Sequence, residues 1–196
     1  MTGELLIILM LVPLVAGVII AILPSKEGLI PAYEALHGID VVAVLVLSFV
    51  SIAGVVDSGE TAAAMGEWFR LDQLSCIFVG LIGFIGCMTG LYAIPYIRHD
   101  VQRGAMEPRK VKQFYLFFSL FIFTMLVAAL SNNIFMMWIA VEATTLSTIF
   151  LVGAYDVKPS LEAAWKYAIV CTSGVAFGLY GTVLIYANAA SILPDP

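Results

Sequence analysis

Six times along this chain an apolar run recurs that is long enough to cross the hydrocarbon of a bilayer, and this constrains the fold more than any other feature. A spanning α-helix needs about 20 mostly apolar residues, and in lipid only helices and closed barrels satisfy their own backbone polar groups. The runs are continuous rather than alternating, so they read as helices. Charged residues make up 12% of the chain against 62% hydrophobic, and they fall mostly between the runs; a soluble domain carries about twice that share of charge. The expected fold is all-α, a polytopic transmembrane helical bundle of six spans in a lipid bilayer. The spans are expected near residues 5–23, 39–56, 74–97, 114–130, 134–155 and 161–189, and residues 1–196 read as one transmembrane region. The first run lacks a basic leader and a small-residue cleavage pattern, so it reads as a retained span.

The fifth run, IFMMWIAVEATTLSTIFLVGAY, carries a single ionisable residue, Glu142. At ~1.5 Å per residue Glu142 lies ~12 Å from the start of the run, deep in the membrane. A carboxylate there is costly unless it faces a bundle interior or a wet cavity. Thr144, Thr145, Ser147 and Thr148 follow at once. Thr145, at i+3, shares the face of Glu142, where its hydroxyl could hold a water or donate to the carboxylate. The alternative is a structural glutamate bonded to a neighbouring helix.

Other stretches are less specific. The segment 24–38, with Lys26, Glu27, Glu34 and His37, reads as a loop, and Asp40 as an interfacial charge at the edge of helix two. The acidic segment 57–72 contains GEWFRLDQLS, where Trp68, Arg70 and Asp72 alternate with apolar neighbours and allow a short strand on the membrane surface. Tyr92, Pro95 and Tyr96 mark the exit of helix three, and Arg98, Arg103, Arg109, Lys110 and Lys112 form a basic loop. A nucleic-acid surface is the rarer meaning of such a cluster, and a cytoplasmic loop the ordinary one. Gly86 with Gly90 and Gly174 with Gly178 are small-xxx-small pairs that admit a neighbouring helix. Cys76, Cys87 and Cys171 fall inside spans as small buried hydrophobes, with no metal-ligand spacing. His37 and His99 are expected in loops, which argues against a transmembrane bis-histidine haem; no cofactor and no metal are expected.

Lys26, the basic cluster and Lys158 fall in alternate loops that share one face, and Arg70 falls on the other. The positive-inside rule then puts both termini on the outer face of a cell inner membrane. Lys166, in LEAAWKYAIVCTSG, lies ~8 Å past the start of helix six. It is either a snorkelling interfacial lysine or an intramembrane amine related to Glu142 through water.

WIAVEATTLSTIFLVGAY and SLEAAWKYAIVCTSGVAFGLYGTVLIYANAAS, with FVGLIGFIGCMTGLYAIPYIRHDVQRG and FYLFFSLFIFTMLVAALSNN, resemble the antiporter-like subunits shared by respiratory complex I, Mrp-type cation/proton antiporters and energy-converting hydrogenases. Within that family the sequence looks most like the F subunits of hydrogenase 4, from the membrane arms of formate hydrogenlyases. The resemblance implies that Glu142 matches the family's functional glutamate and Lys166 a recurrent lysine of the sixth helix. It also implies about fourteen helices in two inverted halves, with a key lysine on a seventh helix that would lie beyond Pro196. The expectation is an amino-terminal portion of a longer subunit, or a chain completed by another.

Two functions compete. The first is proton, or sodium, translocation within a redox-driven membrane complex, with Glu142 and Lys166 on the path, Thr144, Thr145, Ser147 and Thr148 in support, and the other membrane subunits of a hydrogenase or complex I-like assembly as partners. The second is a scaffold that anchors a peripheral hydrogenase arm and moves no ions. Neither involves redox-active residues of this chain, and no nucleic acid is expected as a partner.

Overall fold

The computed structural model describes residues 3–25, 27–155 and 157–192. Lys26 and Asp156 therefore lie outside the described residues. The helices are α1 (Gly3–Ile22), α2 (Ile30–Ser58), α3 (Gln73–Gln102), α4 (Pro108–Leu130), α5 (Ile134–Val152) and α6 (Lys158–Ile192), with a 3-10 turn at Glu27–Leu29 before α2. Among the described residues these six helices are long and apolar enough to cross a membrane. The only other regular structure described is a hairpin of β1 (Ala62–Ala64) and β2 (Phe69–Leu71).

Helices α1 to α4 surround the main core, where Leu6, Leu9, Val44, Val79, Cys87, Ile122 and Leu126 are buried together. The small residues of α3 set the spacing there. A Cβ on Gly86 would come within 2.8 Å of Ile122 Cδ1, and one on Gly90 within 2.7 Å of Val41 Cγ1. The second pair behaves differently: Gly178 makes room for the Trp138 ring, while Gly174 faces open space. Helix α5 packs on α4, and α6 packs mainly on α5, leaving Ile169, Val170, Phe177 and Ile185 exposed on its flank.

The two ends of the bundle are closed differently. At one end β1 pairs antiparallel with β2, Ala62 opposite Leu71 and Ala64 opposite Phe69, so Ala62, Ala64, Phe69 and Leu71 turn onto the core while Ala63 and Arg70 face out. The turn between the strands uses left-handed backbone at Met65, Gly66 and Glu67. Asn132, in the α4–α5 turn, ties to this hairpin through its backbone N–H to the Trp68 carbonyl (2.9 Å) and its side-chain amide to the Glu67 carbonyl (2.9 Å). At the other end Lys112 Nζ donates to the carbonyls of Ala21 (2.8 Å) and Leu23 (2.6 Å), and the Tyr33 hydroxyl to that of Pro24 (2.6 Å).

The short surface strand expected around residues 68–72 is present as β2, with β1 as a partner the alternation did not reveal. Several boundaries differ from expectation. Helix α2 begins at Ile30 rather than 39, because Pro31 occupies its first turn, where a missing N–H costs nothing. Helix α3 passes through Pro95 and ends at Gln102, so Arg98 and His99 are helical. Pro108 opens α4, which takes Arg109, Lys110 and Lys112 out of the loop and into the first helical turns. Helix α5 ends at Val152, with Gly153 as its C-cap, three residues before Tyr155.

Candidate functional site

Helix α5 starts where Asn133 caps it, its side-chain oxygen accepting from the backbone N–H groups of Phe135 (2.9 Å) and Met136 (3.1 Å). Glu142 lies eight residues after Ile134, the first residue of α5, ~12 Å along the axis. It is half-buried and lines a groove of about 470 Å³ between α5 and α6, with Trp138, Ile139, Thr172 and Val175 among its neighbours. Trp138 closes one end by donating from its indole nitrogen to Thr182 Oγ1 at 3.1 Å. Glu142 Oε2 is buried, and among the described residues no group donates to it.

The hydroxyls beside Glu142 serve the helix itself. Thr144 donates to the Ala140 carbonyl (2.8 Å), Thr145 to Val141 (3.2 Å), Ser147 to Ala143 (3.0 Å) and Thr148 to Thr144 (2.8 Å). Each proton is spent on the carbonyl one turn back, so Thr145 does not donate to the carboxylate; a lone pair remains on each oxygen for a water. Thr145 and Ser147 are themselves buried. Lys166 is 73% exposed and ion-paired with Glu162 at 2.5 Å, four residues earlier on the same helix. That Glu-before-Lys order is the favourable one on a helix. The structure therefore does not bring Lys166 to Glu142.

A second group of ionisable residues was missed in the sequence. Helix α2 carries Glu34, His37 and Asp40 into the bundle, where all three are buried. His37 is not in a loop and Asp40 is not interfacial, because the early start of α2 places both against α3 and α4. Arg98 of α3 forms an ion pair with Glu34, and Ser119 of α4 donates to Asp40 Oδ2 at 2.7 Å. The available signal was the spacing of Tyr33, Glu34, His37, Asp40, Val41, Val44, Ser48, Ser51 and Val55, a helical stripe that runs through apolar and polar residues alike. Among the described residues no group of three or more His, Cys, Asp or Glu side chains is arranged to hold a metal ion.

Among the described residues, six membrane-length helices with an acid on the α5–α6 groove define a polytopic helical membrane protein. Comparison with known proteins identifies the class further. Residues 62–104 match the model of the NADH-ubiquinone oxidoreductase (complex I) chain 5 N-terminus, and residues 131–193 that of the NADH:quinone oxidoreductase/Mrp antiporter transmembrane region. The chain belongs to this family of antiporter-like membrane subunits. It is 40% identical over 124 residues to a hydrogenase-4 component F homolog of Methylacidiphilum infernorum, covering 63% of this chain and 26% of that relative. It is 29% identical over 134 residues to the NADH-quinone oxidoreductase subunit L of Mycobacterium tuberculosis, covering 64% and 20%. With the F(420)H(2) dehydrogenase subunit L of Methanosarcina mazei it shares 24% identity over 198 residues, 93% and 27% of the two chains. The chain thus spans between 20% and 27% of the length of these relatives.

Proposed function

We propose that this chain contributes part of a proton path to a membrane subunit of a redox-driven complex of the hydrogenase or complex I-like type, in a cytoplasmic membrane, with Glu142 as the group that takes up and releases the proton. The observation that carries this reading is that Glu142 lines a groove in the segment matching the antiporter model while its buried Oε2 has no donor among the described residues. An intramembrane carboxyl with a cavity beside it and no structural partner is suited to exchange a proton. The lone pairs left on Thr144, Thr145, Ser147 and Thr148 can order water along the same helix. Lys166 has the lesser part, since its amine is held by Glu162 at the helix surface.

The test is Glu142→Gln in the assembled complex. The amide keeps the shape but cannot titrate, so proton movement in proteoliposomes is expected to fall about ten-fold or more with subunit content unchanged. Glu142→Asp retains part of the activity, and Lys166→Ala costs less than either. If the chain is instead a non-transporting anchor, Glu142→Gln leaves pumping intact and is neutral or stabilising, because it removes a buried charge. Normal pumping by an assembled Glu142→Gln complex overturns the proposal.

A further inference from the structure

Away from the α5–α6 groove, three ionisable side chains lie on one face of α2 between α3 and α4. Glu34, His37 and Asp40 are 4%, 0% and 2% exposed. Their i, i+3 spacing puts successive Cβ atoms about 5–6 Å apart. Glu34 reaches the aqueous edge through Arg98, whose side chain is 58% exposed. The His37 ring lies 4.7 Å from that of Tyr115 and edge-on to Phe118 at 4.9 Å. Among the described residues no group makes a well-formed hydrogen bond to either ring nitrogen of His37, to Asp40 Oδ1 or to the buried Tyr115 hydroxyl, although the Gly90 backbone lies beside the imidazole as a weak partner. Gly90 leaves the space that the imidazole fills: a Cβ there would stand 3.1 Å from His37 Nε2.

A buried polar atom without a well-formed hydrogen bond is costly relative to an apolar group of the same shape. Four such atoms converge in one place, which points to use rather than to packing. Glu34, His37, Asp40, Tyr115 and Ser119 all lie outside the segments 62–104 and 131–193 that match the family models.

We propose that Glu34, His37 and Asp40, with Tyr115 and Ser119, form a second proton-binding site, separate from Glu142 and open to water only on the face where Arg98 emerges. A proton arriving from water past the Arg98–Glu34 pair bonds to one nitrogen of His37, and the proton on the other nitrogen leaves to Asp40 Oδ1. Only N–H and O–H bonds form and break. Asp40 Oδ2 meanwhile continues to accept from Ser119. Other titratable groups near this path are Tyr33 on α2, buried in one cluster with Tyr115 and donating to the Pro24 carbonyl, the Cys87 thiol on α3, about one turn from Gly90, and Lys112 on α4, whose amine is committed to the carbonyls of Ala21 and Leu23. Helix α1 contributes apolar side chains at this level. Toward the opposite face buried Val41 and Val44 interrupt the stripe, and the next polar residue on it, Ser48, is ~12 Å beyond Asp40. The site is therefore a store loaded and emptied from one side, not a channel.

Infrared difference spectroscopy of the assembled complex, in the Glu142→Gln background so that the carboxyl of the α5–α6 groove is silent, tests this independently of the role of Glu142. As the pH is stepped down, a protonated-carboxyl C=O band is expected to appear. It is absent when Asp40→Asn is added, and it shifts in frequency with Ser119→Ala, which keeps the carboxyl and removes its donor. In sealed proteoliposomes the band responds only to a pH step on the face of the Arg98 end, and His37→Gln slows that response about ten-fold. A band that survives Asp40→Asn, the lack of any such band, or a response to pH on the opposite face overturns the proposal. If the Asp40→Asn complex does not assemble, Ser119→Ala decides, and a band that it leaves unmoved also overturns the proposal.

Discussion

Asp72 stands where the surface hairpin runs into α3 and caps that helix. Its carboxylate accepts from the Ser75 backbone N–H at 2.7 Å, the N-cap arrangement that satisfies one of the free donors of a helix start. That bond, with lesser help from the Ser75 hydroxyl, the Leu74 N–H and the charge of Arg70, holds the Asp72 carboxyl below the usual aspartate range against the effect of burial. A depressed carboxylate stabilises the fold fully above its unfolded value, and the contribution disappears as pH falls through the lower folded value. Asp72→Ala is expected to cost about 1 kcal/mol, measured as a lower thermal midpoint in detergent at neutral pH. Asp72→Asn keeps most of the cap but loses its acid dependence. An unchanged midpoint in Asp72→Ala would remove the cap from the account of how α3 begins.

At the scale of elements, α6 is joined to the bundle mainly through α5, which packs closely on α4, and the Tyr155 side chain ties the far end of α5 to α3. The Tyr155 hydroxyl donates to Asp100 Oδ2 at 2.5 Å. Burial, then the bond to Asp100 and the neighbouring Tyr96 hydroxyl, raise the Tyr155 phenol well above its ordinary range. A raised phenol contributes stability that is complete below its unfolded value and is lost only as pH rises through the folded one. The tie is therefore intact throughout the physiological range. Tyr155→Phe deletes the donor and leaves Asp100 without it, a loss of about 1–3 kcal/mol for a bond to a charged group. Backbone amides near residues 149–155 should then exchange hydrogen about ten-fold faster or more, with α1 and α2 unaffected. Unchanged exchange there would mean that packing on α4 alone holds the end of α5.

At the scale of the whole molecule, the six antiparallel helices give the bundle two faces of unlike charge. Arg98, Arg103, Arg109, Lys110, Lys112 and Lys158 lie at the end where α3 exits, and Arg70 lies on the hairpin at the other end. The positive-inside rule predicts that the first face meets the cytoplasm. Glu60 and Ala105 are exposed, one at each end, and are better labelling sites than the adjacent Gly59 and Gly104, whose positive φ angles of 67° and 70° would strain a cysteine. In intact cells an impermeant maleimide should label Glu60→Cys, and should reach Ala105→Cys only after permeabilisation. The opposite pattern would invert the orientation.

What the sequence by itself determined was the number of membrane-length helices, and the place of Glu142 within one of them. Long apolar runs have a single stable solution in lipid, so six helices followed from length and hydropathy, and a lone acid in such a run is conspicuous without coordinates. The tight turn at Ser131 to Asn133 likewise required α4 and α5 to be antiparallel neighbours, and they pack together. The buried group on α2 was hidden for a physical reason: clustered charged and polar residues look like a loop when hydropathy is read along the chain. Only an arginine and a serine brought from 64 and 79 residues away make Glu34 and Asp40 fit a helix interior. The partners of the hydroxyls were equally undecided, since Thr145 could reach either Glu142 or the Val141 carbonyl until the side-chain rotamer chose the carbonyl. Local composition decides which segments enter the membrane. Which polar atoms meet inside it depends on helix rotation and on contacts distant in sequence, and those exist only in the folded bundle.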